Sequence, residues 1–150
     1  MKIVIISGSV FGAADEVARY VEQQLQAAGL AAQHLPGARL AQVLDAQPEA
    51  LVTVTSSTGM GELPDNILGL YSELRDQLPG ALRGQPGAIL ALGDSSYEHF
   101  CGGGELMREL YAELGIREVQ DMLRVDASET ADPLGYAESW IAQLPAALTA

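Results

Sequence analysis

The chain has 150 residues, 48% of them hydrophobic, and its 20 Asp and Glu against 8 Lys and Arg give a formal net charge of -12. The apolar content excludes a disordered chain, and the acidic excess argues against nucleic-acid binding, which needs clustered Lys and Arg. A single cysteine, Cys101, excludes an internal disulfide or a thiolate zinc cluster. The opening MKIVIISG is too short for a secretion signal or a membrane span, so we expect a cytoplasmic protein without membrane contact.

Apolar segments alternate with amphipathic segments along the whole chain. The predicted strands are KIVII (2–6), AAQHL (31–35), ALVTVTS (50–56), AILAL (88–92) and EVQDMLRV (118–125). Apolar residues at helical spacing predict helices within 17–28, 67–78, 106–114 and 134–144, with a short helix over 38–46. Trp140 is expected in the core because it shares the apolar face of the last helix. Strict alternation predicts one doubly wound α/β domain over residues 1–150, with a five-stranded parallel sheet and helices on both faces.

The segment after the first strand, SGSVFGAADEVA (7–18), has the composition of an anion-binding turn. Gly8 and Gly12 permit tight backbone turns directly before a helix, where free N–H groups and the helix dipole favour an anion. Ser7 and Ser9 add hydroxyl donors. Because no Lys or Arg occurs in this loop, a phosphate would be held by neutral dipoles. A glycine-rich turn without a ligand remains the alternative.

Other phosphate-binding loops do not match this segment. The Walker pattern requires a lysine that is missing here, and the dinucleotide fingerprint requires a third glycine in register. A phosphorylated receiver domain requires acidic residues after the first strand, an aspartate after the third and a lysine after the fifth. The corresponding sequences are SGS, SST and DAS, which exclude a receiver domain.

The segment after the fourth strand, LGDSSYEHFCGGGELM (92–107), places an aromatic residue in a polar loop. Tyr97 gains little there unless something covers its ring, as a planar ligand would. Packing of Tyr97 against its own chain is the alternative. His99 and Cys101 lie close by, but two distant histidines and one cysteine do not form a metal-ligand set or a nucleophile–base pair.

Three loops together resemble those of short-chain flavodoxins, most closely the MioC type. SGSVFG resembles the phosphate loop of this family, SSTGMGELPDN the second flavin loop and GDSSYEHFCGG the third, and the resemblance covers the whole chain. GELPDN and YEHF also resemble loops of the FMN domains of diflavin reductases. The fifth strand is predicted to be uninterrupted, without the insertion of long-chain members. The resemblance implies a monomer with non-covalently bound FMN and no metal or catalytic residue.

The resemblance also implies which residues contact FMN. The phosphate would be enclosed by Ser9, Val10, Phe11, Gly12, Ala13 and Ala14. The inner face and the N5 edge of the flavin would be lined by Ser56, Ser57, Thr58, Gly59 and Met60. The outer face and the pyrimidine edge would be held by Gly93, Asp94, Tyr97, Phe100 and Cys101, with Asp126 near the rim.

Several positions depart from common flavodoxins. Ala13 and Ala14 replace a polar pair of the phosphate loop, and Thr58 stands where many relatives have an aromatic residue. Each lost contact costs roughly 0.5–1.5 kcal/mol of binding free energy. We therefore expect this chain to bind FMN about tenfold or more weakly than flavodoxins that have these contacts, with a fraction of the protein free of flavin. Gly59 allows its peptide to rotate and turn a C=O toward the N5–H of one-electron-reduced flavin.

Three segments near the predicted flavin, 56–66, 93–105 and 126–133, contain acidic residues and no Lys or Arg. The acidic residues are Glu62, Asp65, Asp94, Glu98, Glu105, Asp126, Glu129 and Asp132. Such a rim lowers the potential of the second reduction step and attracts basic partners, although simple solubility is the alternative. The sequence therefore predicts a low-potential one-electron carrier, reduced by a basic NADPH-dependent flavodoxin/ferredoxin reductase and oxidised by a reductive or radical enzyme. An FMN-dependent NAD(P)H:quinone reductase and a flavin-free binding module are the alternatives.

Overall fold

A computed structural model describes residues 1–150 and has alternating strands and helices. The elements are β1 (Lys2–Gly8), α1 (Ala13–Ala27), β2 (Ala31–His34), α2 (Leu40–Asp45), β3 (Ala50–Thr55), α3 (Asp65–Gln77), β4 (Pro86–Gly93), α4 (Gly102–Leu114), β5 (Arg117–Glu118), β6 (Leu123–Asp126) and α5 (Pro133–Thr149). A short 3₁₀ turn, Gly80–Leu82, precedes β4. No helix is long and apolar enough to cross a membrane.

All strand pairs are parallel, and the sheet order is β2-β1-β3-β4, followed by β5 and β6 on the outer edge of β4. This arrangement confirms the predicted doubly wound α/β fold. The chain moves outward in one direction from β1 to β2 and in the other from β3 to β4, so strand order reverses between β1 and β3. In such sheets a ligand binds beyond the carboxyl ends of the strands at the reversal.

The predicted uninterrupted fifth strand, 118–125, is wrong. In the structure, this outer part of the sheet consists of two short strands that pair with β4 in succession. β5 lies opposite Pro86–Gly87 and β6 lies opposite Leu90–Gly93. The intervening residues bend away from the sheet because side chains hold them to α5. The indole N–H of Trp140 donates to the backbone carbonyl of Asp121 at 2.8 Å, and the Gln120 amide donates to the carbonyl of Trp140 at 2.8 Å. Trp140 is partly buried at the margin of the core.

The sheet separates two apolar layers. Alternate residues of β1 point to opposite faces: Ile3 and Ile5 pack with α1 and α5, whereas Val4 and Ile6 pack with α2, α3 and α4. Burying one such side chain fully contributes about 1.5–3 kcal/mol. Tyr111 of α4 is also fully buried, and its hydroxyl pairs with the Thr53 hydroxyl at 2.8 Å. Both layers end at the carboxyl edge of the sheet, where the polar loops begin.

Candidate functional site

A cavity of about 490 Å³ lies at the carboxyl edge of the sheet, where strand order reverses. Its volume is in the range that small-molecule sites occupy, about 300–1,000 Å³. Loops that follow β1, β3, β4 and β6 form its walls. The lining residues are Val10, Phe11, Ala13, Ser56, Ser57, Thr58, Gly59, Leu92, Gly93, Asp94, Tyr97, His99, Cys101, Val125, Ala127, Thr130 and Pro133.

The structure brings most of the predicted FMN residues together at this cavity. The predicted residues outside its lining are Ser9, Gly12, Ala14, Met60, Phe100 and Asp126. Ala14 is completely buried against α5, and Phe100 packs against the opposite apolar layer, beside α4. Met60 is 71% exposed at the tip of its loop. That the predicted residues contact FMN, both those inside and those outside the lining, stays a prediction.

Sequence reasoning missed part of the lining: Leu92, His99, Val125, Ala127, Thr130 and Pro133. Leu92 and Val125 are the penultimate residues of their strands, so strand position alone could have indicated them. The sequence offers His99 only as a candidate metal ligand or base, and neither role predicts a place in the lining. In β6 and the loop that follows it, the sequence predicts only Asp126 as a flavin contact, because the other lining residues there have small or common side chains without a chemical signal.

The loop between β1 and α1 presents free backbone donors. The N–H groups of Val10, Phe11, Ala13, Ala14 and Asp15 have no acceptor within the protein. Gly12 adopts a left-handed φ of 93° before the helix, and its N–H donates to the Ser9 hydroxyl at 2.6 Å. Free N–H groups at the start of a helix provide the donors that an anion needs.

The loop between β3 and α3 is closed by a tight turn. The N–H of Thr58 donates to the carbonyl of Glu62 at 2.8 Å, and the N–H of Gly61 donates to the carbonyl of Thr58 at 2.9 Å. The peptide between Gly59 and Met60 makes no hydrogen bond. Gly61 has a left-handed φ of 77°, which Gly59 does not share. The turn therefore fixes the base of this loop and leaves one peptide at its tip unrestrained.

Glycines bring this second loop into direct contact with the start of α4. A Cβ on Gly102 would lie 2.5 Å from the carbonyl oxygen of Gly61, closer than real Cβ atoms come. The N–H of Gly103 donates to the Ser57 hydroxyl at 2.8 Å. We call this contact, formed by Ser57, Gly61, Gly102 and Gly103, the glycine contact. It joins the loop after β3 to the first residues of α4.

Asp126 joins the loops after β4 and β6. Its side chain is buried, and Oδ1 accepts the N–H of Ser95 at 2.9 Å and the N–H and hydroxyl of Ser128 at 3.0 and 2.9 Å. The hydroxyls of Ser95 and Ser128 also pair, at 2.8 Å. Hydrogen bonds from Ser95, followed by those from Ser128, hold the pKa of Asp126 well below its ordinary value. Asp126 therefore positions the loops as a carboxylate.

Tyr97 and Cys101 have opposite environments at the cavity. Tyr97 is 56% exposed, and its ring lies near the tip of the second loop, 3.7 Å from where a Cβ on Gly59 would be. Cys101 is fully buried, and burial raises the pKa of its thiol to about 11, so it stays a neutral thiol near pH 7. No group of His, Cys, Asp and Glu residues is arranged to hold a metal ion.

The acidic rim is less uniform than the sequence indicates. Glu105 pairs with Arg124 of β6 and lies 3.9 Å from a nitrogen of Arg108, so nearby cations offset its charge. Asp126 is buried in its hydrogen-bond network. The residues that remain exposed near the loops without an ion pair are Glu62, Asp65, Glu98, Glu129 and Asp132. These five carboxylates form the acidic rim in the following sections.

Known proteins match nearly the whole chain. The family model described as Flavodoxin matches residues 5–140. Flavodoxin YqcA of Escherichia coli (strain K12) is 36% identical over 142 residues, covering 95% of each chain. Protein MioC of the same strain is 31% identical over 140 residues, covering 93% of this chain and 92% of MioC. A solved structure, the C101S mutant of flavodoxin from Pseudomonas aeruginosa, superposes with a TM-score of 0.96 at 56% identity and complete coverage of both chains.

The glycine contact predicts that Gly102→Ala separates the loop after β3 from the start of α4. We expect the free energy of unfolding to fall by about 1–3 kcal/mol, because the new methyl group meets backbone atoms. Gly69→Ala in α3 is the matched control, since its Cβ would lie 3.6 Å from the flexible Arg39 side chain. It should stabilise by up to about 1 kcal/mol through helix propensity. Urea unfolding of both variants checks this, and equal stability would contradict the close contact.

The lowered pKa of Asp126 predicts a pH-dependent contribution to stability. The folded state favours the carboxylate, so its stabilisation is complete above the ordinary pKa of about 3.9 and is lost as pH falls through the lower folded value. Asp126→Asn should therefore unfold more easily than the wild type at pH 7, and the difference should shrink below about pH 4. Urea unfolding between pH 3 and 7 measures it, with Asp76→Asn as the exposed control. A pH-independent difference would contradict the assigned role.

Proposed function

The chain belongs to the flavodoxin family, as its loops predicted, and on this premise we propose that it binds FMN and carries single electrons between redox enzymes. The family implies FMN, and the cavity residues fit it. One observation carries the proposal: Val10, Phe11 and Ala13, whose backbone N–H groups have no acceptor within the protein, line the same cavity as the exposed ring of Tyr97. The donors suit the phosphate and the ring suits the isoalloxazine face.

FMN supplies the electron transfer when bound, and the protein binds and orients it. The N–H groups of the first loop would hold the phosphate without a cation, so affinity depends on how well the loop is positioned. Tyr97 would cover the outer face of the flavin. Thr58 and Gly59 would line the inner face, where the unrestrained peptide after Gly59 can present either its C=O or its N–H.

The acidic rim supports a basic partner. A negative field opposes added negative charge on a bound cofactor, which keeps its reduction potential low, and it attracts positively charged proteins to the cavity. We propose an NADPH-dependent flavodoxin/ferredoxin reductase as the electron donor and a reductive or radical enzyme as the acceptor. The cavity holds no pair of residues arranged as nucleophile and base, and the only thiol in its lining is neutral.

Flavin titration tests the cofactor. Flavin-free protein should bind FMN more tightly than riboflavin, because only FMN has a phosphate for the free N–H groups. Tyr97→Ala should weaken both ligands alike, by up to about tenfold, because its ring covers the part they share. Tyr136→Ala, a similarly exposed tyrosine outside the cavity, is the control. Fluorescence quenching gives the dissociation constants, and equal affinity for FMN and riboflavin, or no binding, would refute FMN as the cofactor.

Reduction kinetics test the carrier role. A basic NADPH-dependent reductase should reduce the FMN-loaded protein rapidly at low salt, and the rate should fall as salt screens charges beyond about 10 Å. Neutralising Glu62, Asp65 and Glu98 to amides should lower the low-salt rate about tenfold and flatten its salt dependence. The control neutralises exposed Asp45, Asp76 and Glu113, near the ends of helices at the opposite edge of the sheet.

Stopped-flow measurements with and without the reductase distinguish the possible outcomes. NADPH alone should reduce the protein very slowly if it is a carrier. Rapid unassisted turnover with NADPH and a quinone would instead support a quinone reductase. Equal effects of the two triple substitutions would show that the acidic rim acts through net charge alone and would refute a specific docking surface.

A further inference from the structure

We propose that Asn66, in the first turn of α3, is a positioning residue for the phosphate loop, defined here as residues 8–12. The inference rests on the proposed binding of FMN. Asn66 is outside the cavity lining and belongs to a different segment from the loop. Its side-chain Oδ1 accepts the N–H of Ser9 at 2.9 Å. This bond holds one side of the Gly8–Ser9 peptide, where the chain leaves β1, and the N–H of Ser56 holds the other side by donating to the Gly8 carbonyl at 2.8 Å.

Asn66 provides the only hydrogen bond that joins residues 9–12 to a part of the chain beyond the loop and α1. The remaining bonds of these residues are local: the N–H of Gly12 donates to the Ser9 hydroxyl, and the N–H of Glu16 donates to the Gly12 carbonyl. No Lys or Arg in the segment provides a second attachment. Without Asn66, Ser9 would be held only through the peptide that it shares with Gly8, whose carbonyl accepts the N–H of Ser56 at 2.8 Å.

Packing next to this bond keeps the loop and α3 in contact. A Cβ on Gly8 would lie 2.5 Å from Cγ2 of Ile67, so only glycine allows β1 to approach the helix this closely. Ile67 itself is buried in the core. The loop therefore rests on a rigid helical turn, and Asn66 connects the exposed side of that turn to the N–H of Ser9. A rigid attachment reduces the entropy that a ligand must otherwise overcome by ordering the loop.

The consequence concerns specificity for the phosphorylated ligand. The directions of the free N–H groups of Val10 and Phe11 depend on the loop conformation, because backbone donors cannot adjust independently as side chains do. Ala13 and Ala14 provide no side-chain donors that could compensate. Loss of the Asn66 bond should therefore weaken FMN binding and leave riboflavin, which lacks the phosphate, unaffected.

The test compares wild type, Asn66→Ala, Asn66→Asp and a control, Gln42→Ala. Gln42 is matched because its exposed side-chain oxygen also accepts a backbone N–H, that of Arg39 at 2.9 Å, on α2. Asn66→Ala should weaken FMN binding by about two- to tenfold, the effect of one hydrogen bond, with riboflavin affinity unchanged. Asn66→Asp keeps an acceptor for Ser9 but adds a negative charge near the phosphate. Its loss of FMN affinity should shrink as salt is added.

A second readout needs no flavin. Amide hydrogen exchange of flavin-free protein should show faster exchange at Ser9 in Asn66→Ala, and wild-type protection in Asn66→Asp and Gln42→Ala. An unchanged ratio of FMN to riboflavin affinity in Asn66→Ala, equal losses for both flavins, or unchanged exchange at Ser9 would overturn the proposal. If the wild type does not prefer FMN to riboflavin, the proposed function fails instead, and the exchange result still decides whether Asn66 positions the loop.

Discussion

The chain connections that follow the adjacent strands β1 and β3 turn toward opposite faces of the sheet, and this divergence creates the cavity. α1 follows β1 and packs with α5, whereas α3 follows β3 and packs with α4, although the two strands are hydrogen-bonded along their length. The chain cannot fill the space above the point of divergence, because each loop must turn away toward its own helix. The cavity is thus a result of topology, and the loops determine only its chemistry.

The four loops around the cavity are joined in sequence by short polar contacts and by glycines. Asn66 connects the loop after β1 to α3, the glycine contact connects the second loop to α4, and Asp126 connects the loops after β4 and β6. Each contact uses backbone groups of at least one partner. Substitution of a neighbouring surface residue can therefore change the electrostatics of the site without disturbing its shape.

The sequence was sufficient to predict the first four strands, the doubly wound fold and three of the loops, because buried parallel strands are nearly continuous apolar runs and the loops contain unusual glycines and an exposed tyrosine. It could not reveal that Asp126 joins two loops, because the sequence alone indicates only a carboxylate near the rim of the flavin site. That role depends on Ser95 and Ser128, which are distant in sequence from one another and become neighbours only in the folded chain. The contribution of Thr130 and Pro133 to the cavity could not be predicted, because these common side chains carry no chemical signal in the sequence.

The divided outer strand has a consequence for how the fold tolerates changes in length. Between Gly87 and Leu90 the inner strand advances by three residues, whereas the outer chain advances by five, from Glu118 to Leu123. Each side chain of β6 points to the same face as the β4 residue opposite it, so pairing with β4 determines the orientation of Val125. The number of residues between β5 and β6 does not change this orientation, because these residues lie outside the sheet. Longer segments can thus be inserted at this position without turning Val125 away from the core.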